Sequence, residues 1–386
     1  MIDRIAENDA IRLSKQYPVL TIVGPRQSGK TTLCQKAFTE HAYVSLENLE
    51  ERELALHDPK SFLARFKDPL IIDEIQRVPS ILSYIQTKVD SSKKNGSYIL
   101  TGSQQFELME TLSQSLAGRT AILRLLPLTI KELYNHYKIY NSLEEYLYTG
   151  FYPRVYDQQL NPTEASSFYL STYVERDIRS LINIKDYLLF ERFLKVCASR
   201  TGQLLNMTSI GNDCGLSHNT VNNWLSLLEA SFILYRVPPH FRNYSKRLIK
   251  APKLFFYDVG FAAYLLGVER KEQLVNHPLK GALFETLVMG ELLKARYNAV
   301  KGNNLYFFRD NSGHEVDCLL DQGSYCVPIE IKSSQTINEN FFANLKFYNG
   351  LQQNAAKPIL IYGGDESYVR EYAEVVSYRE LHNIGV

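Results

Sequence analysis

The chain has 386 residues, with 43 Lys and Arg against 42 Asp and Glu and a formal charge of +1. At about 100 to 200 residues per domain this excludes a single small module, and the balanced charge means that any attraction to nucleic acid must come from a local patch. Hydrophobic residues at 45% and charged residues at 22% exclude a disordered, collagenous or membrane-spanning composition. The first nine residues mix both charges without an apolar stretch of signal-peptide length, and no segment approaches the roughly 20 apolar residues of a membrane helix. Cys34, Cys197, Cys214, Cys318 and Cys326 are scattered and never spaced C-x-x-C, which argues against a disulfide framework or a structural zinc site. A reduced, cytoplasmic protein with no membrane partner is expected.

Five short apolar runs come first: Val19 to Val23, Tyr43 to Leu46, Leu70 to Ile72, Tyr98 to Leu100 and Ala121 to Leu126. Helical, charged stretches separate them, which predicts an α/β domain built on a parallel sheet covered on both faces. From Thr163 to Leu234 the pattern turns helical, until the basic, proline-containing segment Arg236 to Lys253 interrupts it. After Gly281 a helix with apolar positions Leu283, Phe284, Leu287, Val288 and Leu292 leads into alternating strand-like segments from Leu305 to Ile331.

Gly24-Pro25-Arg26-Gln27-Ser28-Gly29-Lys30-Thr31 matches G-x-x-x-x-G-K-[ST], follows the first apolar run and opens a helix at Thr32. Its glycines let amides turn inward as an anion cradle at a helix N-terminus. Lys30 then reaches the β- and γ-phosphates, and the Thr31 hydroxyl ligates Mg²⁺. Leu70-Ile71-Ile72-Asp73-Glu74 is a strand ending in two acids at the sheet edge where ligands of open α/β folds bind. Asp73 is expected to hold Mg²⁺ and Glu74 to polarise the attacking water; two solvated acids are the alternative. Ser103, at the end of Tyr98-Ile99-Leu100-Thr101-Gly102-Ser103, is the candidate to orient that water. Arg119, in Ser115-Leu116-Ala117-Gly118-Arg119, either stabilises charge on the transferring phosphoryl group, in its own subunit or a neighbour, or pairs with a surface acid.

These motifs resemble those of an AAA-type ATPase, of the bacterial and archaeal family whose C-terminal part is an uncharacterised domain with a PD-(D/E)xK nuclease-like fold. The resemblance runs on through Tyr173 to Ile178, Lys250-Ala251-Pro252-Lys253 and Gly281 to Glu285, as far as Glu330-Ile331-Lys332. Thr149-Gly150-Phe151-Tyr152-Pro153 departs from it where relatives tend to carry a glycine pair. The expected division is a P-loop domain over residues 1–135, a helical connector over 136–200, a winged-helix-like region over 201–260 and, as the resemblance implies, a restriction-endonuclease-like α/β domain over 261–386.

Within the third segment, a short helix around Ile210 to Cys214, a turn at Gly215-Leu216 and a longer helix capped by Ser217 describe a helix-turn-helix. Val221, Trp224, Leu225 and Leu228 give the longer helix a buried face, while Asn219, Asn222 and Asn223 point outward. Between Glu229 and Asp258 six basic residues, including Arg242, Lys246, Arg247, Lys250 and Lys253, stand without one acid. That reads as a phosphate-binding footprint for DNA, or as the solvated face of a packing module.

In the last segment Asp321-Gln322-Gly323-Ser324 reads as a hairpin turn, which brings Asp317 toward Glu330 and Lys332 on the partner strand. The set resembles a PD-(D/E)xK centre, with Glu285 as the helical acid. That implies two carboxylates on Mg²⁺ and Lys332 either activating water or steadying the developing charge at phosphorus. Glu315 either substitutes for Asp317 or is solvated, and Arg309 either binds phosphate or neutralises the cluster. The expected function is an ATP- and Mg²⁺-dependent ATPase that binds DNA, a homo-oligomer if Arg119 acts in trans. The alternatives are a nucleotide-gated metal-dependent nuclease and a non-nucleolytic, nucleotide-switched scaffold.

Overall fold

The apolar run Val19–Val23 forms strand β1, every residue of it buried. It lies between β4 (Tyr98–Gly102) and β5 (Thr120–Arg124), parallel to both. Outside β4 lie β3 (Leu70–Asp73) and then β2 (Ala42–Ser45), so the sheet reads β2-β3-β4-β1-β5 and all its pairings are parallel. The five expected strands therefore all form. Leu20, Ile22, Ile71, Ile99 and Leu123 pack with Ala6, Ala10 and Leu13 around the helix Glu7–Gln16, and with Leu33 and Cys34 of the helix Lys30–Ala37. That packing fixes the start of the Lys30 helix directly beyond the C-terminal end of β1.

The computed structural model describes residues 1–103, 115–174, 187–240, 251–352 and 356–385. The chain divides into two compact units. One comprises Met1–Leu128 with Ala230–Phe232 and Tyr297–Lys301; the other comprises Thr129–Glu229, Ile233–Arg296 and Gly302–Val386.

In the second unit the helix Met207–Cys214 is capped by the Asn206 side chain, which accepts from the Ser209 amide at 2.9 Å, and it stops at Gly215 with φ 72°. Gly211 permits the tight turn that follows, since a Cβ there would stand 2.7 Å from the Leu216 carbonyl oxygen. The helix His218–Ala230 opens on Ser217, whose hydroxyl accepts from the Thr220 amide at 3.1 Å. An antiparallel pair follows, β6 (Leu234–Val237) with β7 (Lys253–Phe256). The long helix Lys280–Asn298 precedes a six-stranded sheet. In that sheet β8 (Leu305–Arg309), β9 (Glu315–Asp321) and β10 (Cys326–Lys332) are antiparallel neighbours. Next come β11 (Ile359–Tyr362) and β13 (Glu374–Ser377), parallel to β10, with the short β12 (Tyr368–Val369) at the edge. The turn between β9 and β10 is the predicted hairpin. All five cysteines are buried and none is disulfide-bonded. Among the described residues, no helix is long and apolar enough to cross a membrane.

Candidate nucleotide site and carboxylate centre

The loop Gly24 to Gly29 leaves β1 at the C-terminal edge of the parallel sheet. Gly24 is required sterically, because a Cβ would stand 2.1 Å from the Leu125 carbonyl oxygen. Gln27 and Gly29 take positive φ of 62° and 89°, the backbone turn that directs successive amides inward. Pro25 and Ser28 are buried, Gln27 and Thr32 exposed, and Arg26 reaches Glu47 at 3.4 Å. The Lys30 ammonium, 5% exposed, folds back onto the carbonyls of Gly24 at 3.0 Å and Pro25 at 2.8 Å. Burial lowers its pKa to about 8 against the raising pull of Glu74 and Asp73. From outside the motif, Arg4 donates to the Ser28 carbonyl at 2.5 Å and to that of Leu126 at 2.6 Å, propping the loop from behind.

The two acids separate in role at the end of β3. Asp73 is buried and collects hydroxyl donors from three elements: Thr31 at 2.9 Å, Tyr43 at 2.9 Å and Thr101. Glu74 takes φ 58°, which turns its side chain off the strand line. Its amide donates to the Thr101 hydroxyl at 3.1 Å, and its carboxylate accepts from Ser103 at 3.1 Å and from Gln76. Gln76 also donates to Ser103 at 3.0 Å. Lys30, Thr31, Asp73, Glu74 and Ser103 therefore meet as the sequence predicts. Thr101, Tyr43, Gln76 and Arg4 were not anticipated. Thr101 lies two residues before Ser103, so strand alternation places both on one face; the other three carry no comparable signal.

The loop and acids fit a nucleotide triphosphate with its divalent ion. The Ser28 hydroxyl is buried inside the cradle without a hydrogen-bond partner among the described residues, and the Thr31 hydroxyl and Asp73 carboxylate lie side by side. Arg119 is elsewhere. It immediately precedes β5 and its carbonyl accepts from the Val19 amide, so it marks the N-terminal edge of the sheet. A five-residue strand spans roughly 16 Å, which removes Arg119 from the nucleotide of its own chain. Its guanidinium pairs with Asp90 at 2.5 and 2.9 Å.

In the second unit Asn219, Asn222 and Asn223 are all exposed on the helix His218–Ala230, whose Val221, Trp224, Leu225 and Leu228 are buried. Arg242, Lys246, Arg247 and Lys250 lie outside the described residues. Lys253 requires a correction: it is 2% exposed and unavailable to a DNA phosphate. Its ammonium lies 2.9 Å from Glu285, 2.5 Å from Glu315 and 3.9 Å from Asp317. Burial works to lower its pKa, but Glu285, Asp317 and Glu315 outweigh burial and raise it. Lys332 bridges Glu330 at 2.6 Å and Asp317 at 3.4 Å, Asp317 also accepts from the Ile331 amide at 2.8 Å, and Arg309 holds Glu315 at 2.8 Å.

Glu285, Asp317, Glu330 and Lys332 thus gather as predicted, around a cation the sequence reading had placed at the surface. Burial raises the Glu285 carboxyl to about 7 against Lys253, and burial together with Asp317 raises Glu330 to about 8 against Lys332. With the Lys253 ammonium among three of the carboxylates, these residues do not fit a divalent ion as they stand.

Comparison with known proteins gives three family matches along the chain. Residues 16–134 match the family model described as AAA domain, residues 140–272 a domain of unknown function (DUF8612) and residues 280–381 a domain of unknown function (DUF4143). An uncharacterised protein of Mycobacterium tuberculosis is 26% identical over 330 residues, which cover 84% of this chain and 72% of that one. One of Haemophilus influenzae is 25% identical over 318 residues, 74% of this chain and 76% of that one. A Walker-type ATPase of Pyrococcus abyssi has a TM-score of 0.45 at 16% identity, covering 69% of this chain and 96% of that one. AMPPCP-bound DnaA from Aquifex aeolicus has 0.31 at 15% identity, covering 58% and 85%. The conclusion rests on the family match: residues 16–134 are similar to the AAA domain, and that similarity supports an ATPase.

Proposed function

We propose that the protein is an Mg²⁺-dependent ATP hydrolase whose nucleotide cycle acts on bound DNA. The observation that carries the reading is the meeting of Lys30, Thr31, Asp73 and Glu74 at one sheet edge. The amides of Gly24 to Thr32 and the Lys30 ammonium hold the phosphates. Thr31 and Asp73 hold the ion, which supplies charge neutralisation at the phosphates. Glu74, steadied by Ser103 and Gln76, takes the proton of the attacking water as the water oxygen bonds to the γ-phosphorus and ADP leaves. Lys30 must release the loop carbonyls to reach phosphate, an exchange of two neutral acceptors for anionic oxygens. Titration calorimetry with ATP is expected to show one site per chain that weakens when Mg²⁺ is withheld; absence of heat in both titrations overturns the reading.

DNA enters through the exposed Asn219, Asn222 and Asn223 on the second helix of a helix-turn-helix followed by a two-stranded hairpin, with Arg242, Lys246, Arg247 and Lys250 supplying phosphate contacts. Duplex affinity should fall steeply with salt, and Asn222→Asp with Asn223→Asp should weaken it about tenfold or more at low salt. If fluorescence anisotropy shows no duplex binding at low salt, the scaffold reading takes its place. A part for Arg119 in turnover needs a neighbouring copy, hence a homo-oligomer. The Lys253 ammonium favours a non-nucleolytic carboxylate centre over a metal-dependent nuclease.

A further inference from the structure

The β9–β10 hairpin pairs Asp321 with Cys326 in register, which puts both side chains on one face of the pair with Cβ atoms about 5 Å apart. A third segment crosses to them. Beyond β6, Pro239 bridges to Phe307 of β8, and the His240 amide donates to the Phe307 carbonyl at 2.9 Å. The imidazole stands edge-on to Tyr306 at 5.2 Å. So positioned, the His240 Nε2 lies 3.5 Å from the Cys326 Sγ and 3.5 Å from the Asp321 Oδ2, and the three atoms all fall within 4.8 Å of one another.

The decisive detail is that one nitrogen faces both partners. In a Cys–His–Asp proton relay the sulfur and the carboxylate would take opposite ring nitrogens. Here they converge on the same one, as ligands around a common ion do. Zinc bonded at about 2.0–2.1 Å to nitrogen and oxygen and about 2.3 Å to sulfur has tetrahedral edges of roughly 3.3–3.6 Å, which matches both distances. A thiolate and a carboxylate neutralise a doubly charged ion. The remaining Asp321 oxygen, Oδ1, accepts from the Gly323 amide at 2.8 Å, which orients the carboxylate from behind, and Asn304 donates to the Asp321 backbone carbonyl at 2.8 Å. His240 and Cys326 are buried, while Asp321 keeps a 26% exposed side chain.

We propose that His240, Asp321 and Cys326 bind a zinc ion, the Cys326 thiol giving its proton to solvent as the Zn–S bond forms. The ion fastens the chain just ahead of the basic segment to the C-terminal sheet. Full-length protein purified without chelator is expected to carry about one zinc per chain by elemental analysis. After removal, cobalt(II) should restore a thiolate-to-metal charge-transfer band that Cys326→Ser abolishes and Asp321→Asn shifts to about tenfold higher cobalt. Asp321 is exposed enough for that variant to fold, and Mg²⁺ at the phosphate loop produces no such band. Wild-type protein that carries no zinc and yields no cobalt band overturns the proposal, as does a band that survives in Cys326→Ser.

Discussion

Lys30→Ala and Glu74→Gln should both stop ATP turnover, for different reasons that one pair of measurements separates. Lys30→Ala removes the buried loop ammonium that the proposed reading brings onto the phosphates, and turnover should fall by about 10³-fold together with a large loss of nucleotide affinity. Glu74→Gln keeps the shape and the contacts to Ser103 and Gln76 while removing the proton acceptor. Turnover should drop by about 10²- to 10⁴-fold with affinity nearly unchanged. Phosphate release and calorimetry on the same preparations give the comparison; wild-type turnover in Glu74→Gln would leave that carboxylate without a catalytic part.

The second large effect is expected far from the loop. Lys253→Met deletes a buried ammonium that lies within 4 Å of Glu285, Glu315 and Asp317, leaving partly buried carboxylates facing one another. Breaking a buried pair this way costs about 3–5 kcal/mol, and thermal or urea unfolding should register it. The sign of the pH dependence follows from Glu285. Its folded pKa is raised to about 7 from 4.5, so between these values the folded chain holds a proton the unfolded chain has lost. Stability contributed by this group therefore falls as pH rises through that window. In Lys253→Met the opposing ammonium is gone and the fall should steepen, so the variant's deficit shrinks in mildly acidic buffer. A deficit independent of pH would show that lost packing, and not charge, dominates.

How much of this was legible depends on whether the information is contiguous in the chain. Gly24 to Thr32 lies within one strand-loop-helix, and Asp73-Glu74 follows one apolar run, so spacing alone reveals chemistry. Ser103 was readable because a strand end has only a few polar candidates. Thr101 shares its face and was available by the same alternation. Tyr43 and Gln76 arrive through pairing of β2 with β3 and through the left-handed turn at Glu74, neither of which leaves a periodic trace. Lys253 was misplaced for an instructive reason: its carboxylate partners lie in other elements, so a run of basic residues without local acids looked like a surface footprint. Arg119 failed in cis because a motif shows proximity to a strand but not which end of the sheet it occupies. The rejection of a zinc site rested on paired-cysteine spacing, which is blind to a donor set assembled from a hairpin and a distant histidine.

The Thr31 contact with Asp73 has a bearing on ion choice. A hydroxyl carries a single hydrogen and two lone pairs, and once that hydrogen is committed to the carboxylate the lone pairs can only be turned away from it. Thr31 is thereby set as a pure acceptor before any ion arrives, and Asp73, held in place by three hydroxyls while keeping a lone pair free, has little freedom to wrap around a large one. A small, hard cation content with one or two protein oxygens and several waters suits such a rigid rim, whereas calcium, which asks for six to eight ligands, does not.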